Sequence, residues 1–236
     1  MQTFMIPGLW LDASSWDAVA PSVDASGFHA RPLTMPGLES DDADRHTITL
    51  DTHIDYITRL IDEVPDDETI ALVAHSGGGL VANGAIDRRP DRVSRVIYVD
   101  SGPGGEGVIV NDEVPHDDAD MPFPGWGAFD ESEVRDITPE LGAEIAAHTH
   151  PSPTHAAIDP LHVHDERRLA VPTTIITSTM PKDQLQGAID SGAPWLGDVG
   201  RLSALDIREL PTGHWPQYTK PQELGEIIVD VLGAKD

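Results

Sequence analysis

The 236-residue sequence predicts a doubly wound, mostly parallel α/β sheet of about six strands with an inserted helical cap. Three observations predict it. Short β-branched runs recur along the chain with helix-like segments between them, the alternation that builds a parallel sheet covered by helices on both faces. The stretch between Gly102 and Ala170 interrupts that rhythm with no clear strand. The third β-branched run stops at a serine, followed by three glycines and a helix-like segment.

Taken in order, the strands are Gln2–Pro7, Phe28–Leu33, Thr69–Ala74, Val93–Asp100, Thr173–Thr177 and Leu205–Leu210. Most are short and rich in Val, Ile and Thr, as strands buried on both faces are. Helical segments fall at Ser15–Ala25, Thr52–Val64, Gly77–Arg88 and Pro221–Leu232. In the second of these Ile54, Ile57, Leu60 and Ile61 form one apolar stripe, the signature of a helix lying on a core. The last opens with proline, whose missing N–H is harmless in a first turn. Residues 103–170 are assigned to a cap or lid, with helical pieces at Thr138–His148 and around Pro160–Leu169, because so long an insertion is usually functional. Residues 1–102 and 171–236 then make up the core.

Composition excludes several classes of function. Fifteen Lys and Arg against 41 Asp and Glu give a formal net charge of -26, which repels nucleic acid and anionic membranes. The absence of cysteine rules out disulfides and thiolate chemistry. The opening Met1-Gln-Thr-Phe-Met-Ile-Pro7 lacks the basic region of a signal peptide, and no run approaches the ~20 apolar residues of a membrane span. The expectation is a soluble, cytoplasmic protein with a small-molecule partner; a homodimer is compatible with the sequence. Three lysines in an Asp-rich chain fit a protein adapted to high salt, where screening removes self-repulsion. An Arg-favouring, GC-rich genome accounts for the same bias.

The chemistry centres on Ala74-His-Ser76-Gly-Gly78. A strand that turns into a helix at a serine exposes that hydroxyl on a tight bend, which small flanking residues make sterically feasible. The competing reading is a Gly-rich turn that binds phosphate, but there is no Gly-x-Gly-x-x-Gly and no Lys-Ser/Thr pair. An activated serine needs a base and the base needs an orienting acid. His214, in Leu210-Pro-Thr-Gly-His-Trp-Pro216, follows the last strand and so lies at the same sheet edge as Ser76. Asp100, directly on a strand end, is the preferred acid; Asp183, beyond the fifth strand beside Lys182, is the alternative. The oxyanion donors expected are the backbone N–H groups of Gly77 and of Leu9, in Pro7-Gly8-Leu9-Trp10.

These motifs together resemble the α/β-hydrolase superfamily across nearly the whole chain. Pro7-Gly8-Leu9-Trp10, with Trp16 further on, is similar to the His-Gly-Ala-Trp of plant salicylate-esterase and hydroxynitrile-lyase relatives, with proline in place of the histidine. An acid at the end of the strand after the nucleophile helix is similar to zearalenone-type lactonases. The resemblance implies hydrolysis of a carboxylic ester or lactone through an acyl-enzyme on Ser76, with no cofactor. It equally allows a hydroxynitrile-lyase-like enzyme, which needs a cation near the site, or a non-catalytic ligand receptor. Trp10, His75, Trp126 and Trp215 are expected in the substrate pocket; Phe123 and Trp195 are pocket wall or cap core. His148-x-His150 and His162-x-His164 are loose metal-like spacings without a cysteine, and no metal is expected.

Overall fold

The computed structural model describes residues 1–234. Six strands form one wholly parallel sheet: β1 (Gln2–Ile6), β2 (His29–Pro32), β3 (Ile70–His75), β4 (Val93–Val99), and, beyond a two-residue antiparallel pair β5 (Asp120–Met121) and β6 (Ser152–Pro153), β7 (Thr173–Thr177) and β8 (Leu205–Glu209). The spatial order is β2-β1-β3-β4-β7-β8. Alternation along each central strand divides the core into two layers. Phe4, Ile6, Ile70, Leu72 and Ala74 face the larger layer with helices α2 (Leu50–Asp62) and α3 (Gly78–Arg88). Met5, Ala71 and Val73 face a second layer with α1 (Ala20–Ala25) and the closing helix, Pro221–Gly233. Successive side chains point to opposite faces, so a strand covered on both, such as β3, is buried at every position and feeds the two layers alternately. The edge strands are half-exposed, and β8 carries Asp206, Arg208 and Glu209, charges that discourage edge pairing with another chain.

All six carboxyl ends reach the same sheet edge. The direction of succession reverses between β1 and β3, where ligands of open α/β sheets bind. The expected helix Ser15–Ala25 is instead a 3-10 turn at Ala13–Trp16, capped by Asp12, followed by α1. Pro21 has no N–H to continue a helix begun earlier, so it sits in the first turn of a new one.

Residues 103–170 hold β5, β6, α4 (Pro139–Ala146) and α5 (Thr154–Ile158). No α-helix covers Pro160–Leu169; only a 3-10 turn at Glu166–Ala170 does. Asp87 accepts from the N–H groups of His164 and Asp165, and Glu106 from that of Val163. Carboxylates from elsewhere thus take the donors a helix would use. Among the described residues no helix is long and apolar enough to cross a membrane.

Candidate active site

Ser76 is the hinge between β3 and α3, with φ at +50°. A left-handed backbone at a non-glycine residue costs of order 1–3 kcal/mol and persists only where its surroundings enforce it. Its carbonyl accepts from Ser101 Oγ at 2.6 Å. Two close approaches explain the small residues around it. A Cβ on Gly78 would lie 2.5 Å from the Pro7 carbonyl, and one on Gly8 would lie 2.9 Å from Ser76 Cβ. The bend therefore needs glycine both at the start of α3 and on the loop after β1.

His214 Nε2 lies 2.8 Å from Ser76 Oγ, and its Nδ1 lies 2.7 Å from Asp100 Oδ2. Asp100 follows β4 with φ at +45°, leaving the strand direction where Val99 ends it. Burial alone would raise its carboxyl. The bond to His214, attraction to that ring and donation from the N–H groups of Thr179 and Ser178 outweigh burial and hold it at about 2. The Thr179 hydroxyl adds a bond at 3.0 Å. Asp183, the alternative acid, is exposed in the first turn of α6 (Lys182–Asp190), where it neither caps the helix nor touches His214.

Three further contacts fix the histidine loop. His75, fully buried, lies with Nε2 2.7 Å from the His214 carbonyl and Nδ1 3.2 Å from the Gln217 amide nitrogen. Burial first, then the neighbouring His214 ring, pushes His75 down to about 3; as a neutral ring it donates from Nε2 and accepts at Nδ1. The His214 N–H donates to the Glu133 carbonyl at 2.7 Å. Arg135 donates from one nitrogen to the carbonyls of Ser178 at 2.9 Å and Thr212 at 2.5 Å, bracing the acid loop against the histidine loop. The role of Glu133 and Arg135 has no signal in the local sequence.

Among the described residues nothing accepts the backbone N–H of Leu9 or of Gly77. Both flank Ser76, Leu9 on a tight turn in which the Leu11 N–H meets the Gly8 carbonyl at 3.4 Å. Trp10 follows with φ at +65° and is fastened by its own N–H to Ser152 Oγ at 2.7 Å and by its indole N–H to the Met121 carbonyl at 3.0 Å.

A model of the alpha/beta hydrolase family matches residues 4–227. The chain belongs to that family. Methylesterase 8 of Arabidopsis thaliana is 32% identical over 98 residues, covering 41% of this chain and 36% of the relative. Methylesterase 3 of the same plant is 30% identical over 97 residues, covering 40% and 37%. The chain thus spans little more than a third of the length of these relatives. Among solved structures, an Arabidopsis methylesterase superposes with a TM-score of 0.76 at 17% identity over 98% of each chain. A pyrethroid hydrolase from Sphingobium faniae gives 0.70 at 19% identity over 99% of this chain and 98% of that one. An extracellular alpha/beta-hydrolase from Paenibacillus gives 0.73 at 18% over 100% of both. At such identities the likeness to these structures shows the fold.

In this member of the family two cavities open at Ser76. The larger, about 370 Å³, is walled mainly by aliphatic side chains, among them Leu80, Val108, Met180, Leu196 and Val199. Trp195, 63% exposed, stands in its wall. The smaller, about 90 Å³, is lined by Trp10, His75 and Trp215 together with Phe129, Asn111 and Glu133. Trp126, expected in the pocket, lines neither: its indole N–H donates to the Gly142 carbonyl at 2.8 Å and its ring packs edge-on to Trp215. It is too engaged with its own segment to reach Ser76. The aliphatic wall has no local signal in the sequence, because Leu80, Val108, Met180 and Leu196 lie in four separate stretches of the chain.

The histidine pairs do not converge. His150 meets Asp41 at 2.7 Å, while His155 meets Asp159 and His162 meets Glu106, each at 2.9 Å. Among the described residues no group of three or more His, Asp or Glu side chains is placed to hold a metal ion.

Proposed function

We propose that this protein is a serine hydrolase of carboxylic esters or lactones, acting through Ser76, His214 and Asp100. The observation that carries the reading is the continuous hydrogen-bonded line from Ser76 Oγ through His214 to Asp100, beside two unpartnered backbone N–H groups. His214 takes the Ser76 proton as the oxygen attacks the carbonyl, and Asp100, ionised far below neutrality, holds the imidazole tautomer and stabilises the imidazolium. The N–H groups of Leu9 and Gly77 receive the oxyanion, each worth about 3 kcal/mol in the transition state. His214 then protonates the leaving alcohol. Water, deprotonated by the same ring, attacks the acyl-enzyme and restores Ser76. Residues 103–170 act as the cap, contributing Val108 and Val110 to the pocket and the Glu133 carbonyl to the histidine loop.

The methylesterase and pyrethroid hydrolase relatives support ester hydrolysis. A hydroxynitrile-lyase-like reading needs a cation to hold cyanide, and neither Lys nor Arg lines the two cavities. A fluorophosphonate probe tests the proposal together with an ester and lactone panel. Stoichiometric labelling that vanishes in Ser76→Ala, with turnover of at least one ester class, is the expected result. An unlabelled native protein that turns over none of the panel would overturn it and leave a receptor on a hydrolase fold.

A further inference from the structure

The stretch between α6 and β8, residues 191–204, walls one side of the larger cavity with Trp195, Leu196 and Val199. It holds only two 3-10 turns, Pro194–Leu196 and Val199–Arg201. Helical pieces of three residues are not stable by themselves, so this wall keeps its place through what it is tied to. Its backbone lies directly on the loop after β4. The Asp198 N–H donates to the Gly104 carbonyl at 2.6 Å, and a Cβ on Gly197, where φ is +55°, would run into that same carbonyl. Further on, the Ser203 N–H donates to the Leu169 carbonyl at 3.0 Å.

Asp198, between Leu196 and Val199 in the chain, carries the side-chain tie. One of its carboxylate oxygens meets Arg168 Nη2 and the other meets Arg201 Nη1 at 2.7 Å. Both arginines also face Glu166, Arg168 Nη1 at 3.7 Å. The four side chains form a neutral cluster in a chain of net charge -26. Its members are not equal. The Arg168 side chain is 3% exposed and that of Asp198 8%, whereas Arg201 and Glu166 stand in solvent. An exposed pair contributes little and is screened by salt. A buried charge stripped of its partner is costly, so the inner pair stays closed. Arg168 stands on the 3-10 turn that leads into β7, so this pair fastens the wall to the sheet. Among the described residues its buried Nε has no acceptor. The guanidinium is thus aimed at Asp198 at the cost of one of its own donors.

Resting on the serine-hydrolase reading above, we infer that Arg168 and Asp198 are positioning residues for substrate selection. Their ion pair holds Leu196 and Val199 against the larger cavity, and so fits that cavity to a long apolar arm of the ester. The clamp does not reach the reacting groups. Among the described residues no hydrogen bond or ion pair joins Glu166, Arg168, Asp198 or Arg201 to Ser76, His214 or Asp100. Releasing the wall therefore leaves a small ester its rate and takes from a long one the contacts that favour it. One methylene fitted or misfitted in an apolar pocket is worth about tenfold or more in kcat/KM.

Three esters test this. Methyl acetate is small on both sides, while methyl octanoate and octyl acetate carry a long arm on the acid or the alcohol side, so neither side is assigned beforehand. The quantity read is kcat/KM for whichever long ester the native protein turns over faster, divided by that for methyl acetate. In Arg168→Met this ratio should fall by at least about fivefold, mostly through KM of the long ester. Arg168→Gln combined with Asp198→Asn should do the same, and it removes both buried charges at once, so it folds where a half-pair would not. Because the esters are read in one preparation, loss of folded protein cancels from the ratio. Arg167→Gln is the control: its ion pairs are with Asp91 and Asp165, outside the clamp, and its ratio should match the native one. A ratio that falls by less than about fivefold in a folded clamp variant, or falls as far in Arg167→Gln, would overturn the inference. Failure of the fluorophosphonate to label Ser76 in the native protein would instead overturn the hydrolase reading on which it rests, so the two failures are separable.

Discussion

Lowering the pH from 8 to 5 should destabilise the fold by roughly 4 kcal/mol, before most carboxylates titrate. Two histidines are buried in neutral form. His53 on α2 is pushed down to about 4 by burial, although its Nε2 lies 2.8 Å from the Pro36 carbonyl, and His75 to about 3. In the unfolded chain both return to about 6.5. Below that value the unfolded state binds protons that the folded state refuses, so stability is full above pH 6.5 and falls as the pH drops, until the folded values of about 4 and 3 are reached. At pH 5 each unfolded ring is about thirty times more protonated than not, which is about 2 kcal/mol per residue and roughly 4 for the pair. Urea denaturation at pH 8, 7, 6 and 5 in 1 M KCl measures it, the salt shrinking the Debye length to about 3 Å so that surface repulsion contributes little. His53→Gln, whose amide can still donate to Pro36, should remove about half of the loss. A stability flat across pH 8 to 5, or a loss unchanged in His53→Gln, would refute the assignment of these rings as buried and neutral.

Ser76→Ala and His214→Ala should each lower kcat by about 10⁴-fold or more with the fold intact, and a variant keeping more than about a tenth of native kcat would remove that residue from the reacting line. Asp100→Asn should cost about 10⁴ in kcat while Asp183→Asn stays near native; steady-state kinetics showing the reverse would move the acid to α6. With a net charge of -26, the melting temperature should rise across 0.05, 0.5 and 2 M KCl, since self-repulsion acts over roughly 14 Å at the lowest of these and about 2 Å at the highest. A flat or falling series would leave an ordinary acidic protein.

Much of the fold was legible because it rests on local pattern. A strand buried on both faces favours apolar and β-branched residues throughout, and β3, most of β4 and the Thr-Ile run of β7 are built of them; the strands of the six-stranded sheet lie within a residue of the expected ones at each end. The failures occur where distant side chains decide. Nothing near His164 announces that Asp87 will take its N–H. The pair β5 and β6 is two residues long on each side, too short for any periodicity to register.

The candidate site divides in the same way. Ser76 and His214 could be read from turn chemistry written beside them. Asp100 could be placed on a strand end, but not seen to be the group bonded to His214, because its partners Ser178 and Thr179 lie beyond the next strand of the sheet. The structure adds a relation that neither motif contains. Ser76 and Asp100 end adjacent parallel strands, and both adopt left-handed backbone without being glycine. Each would relax if free, at a gain of order 1–3 kcal/mol. Neither is free: Ser101 Oγ holds the Ser76 carbonyl, and the N–H groups of Ser178 and Thr179 hold the Asp100 carboxylate. Ser101 follows Asp100 directly, so the bend at the end of β4 positions the hydroxyl that restrains the bend at the end of β3. Asparagine tolerates left-handed backbone more readily than most residues. Asp100→Asn therefore isolates the charge and proton arrangement at His214, whereas a β-branched residue at position 100 would disturb the bend and, through Ser101, the serine as well.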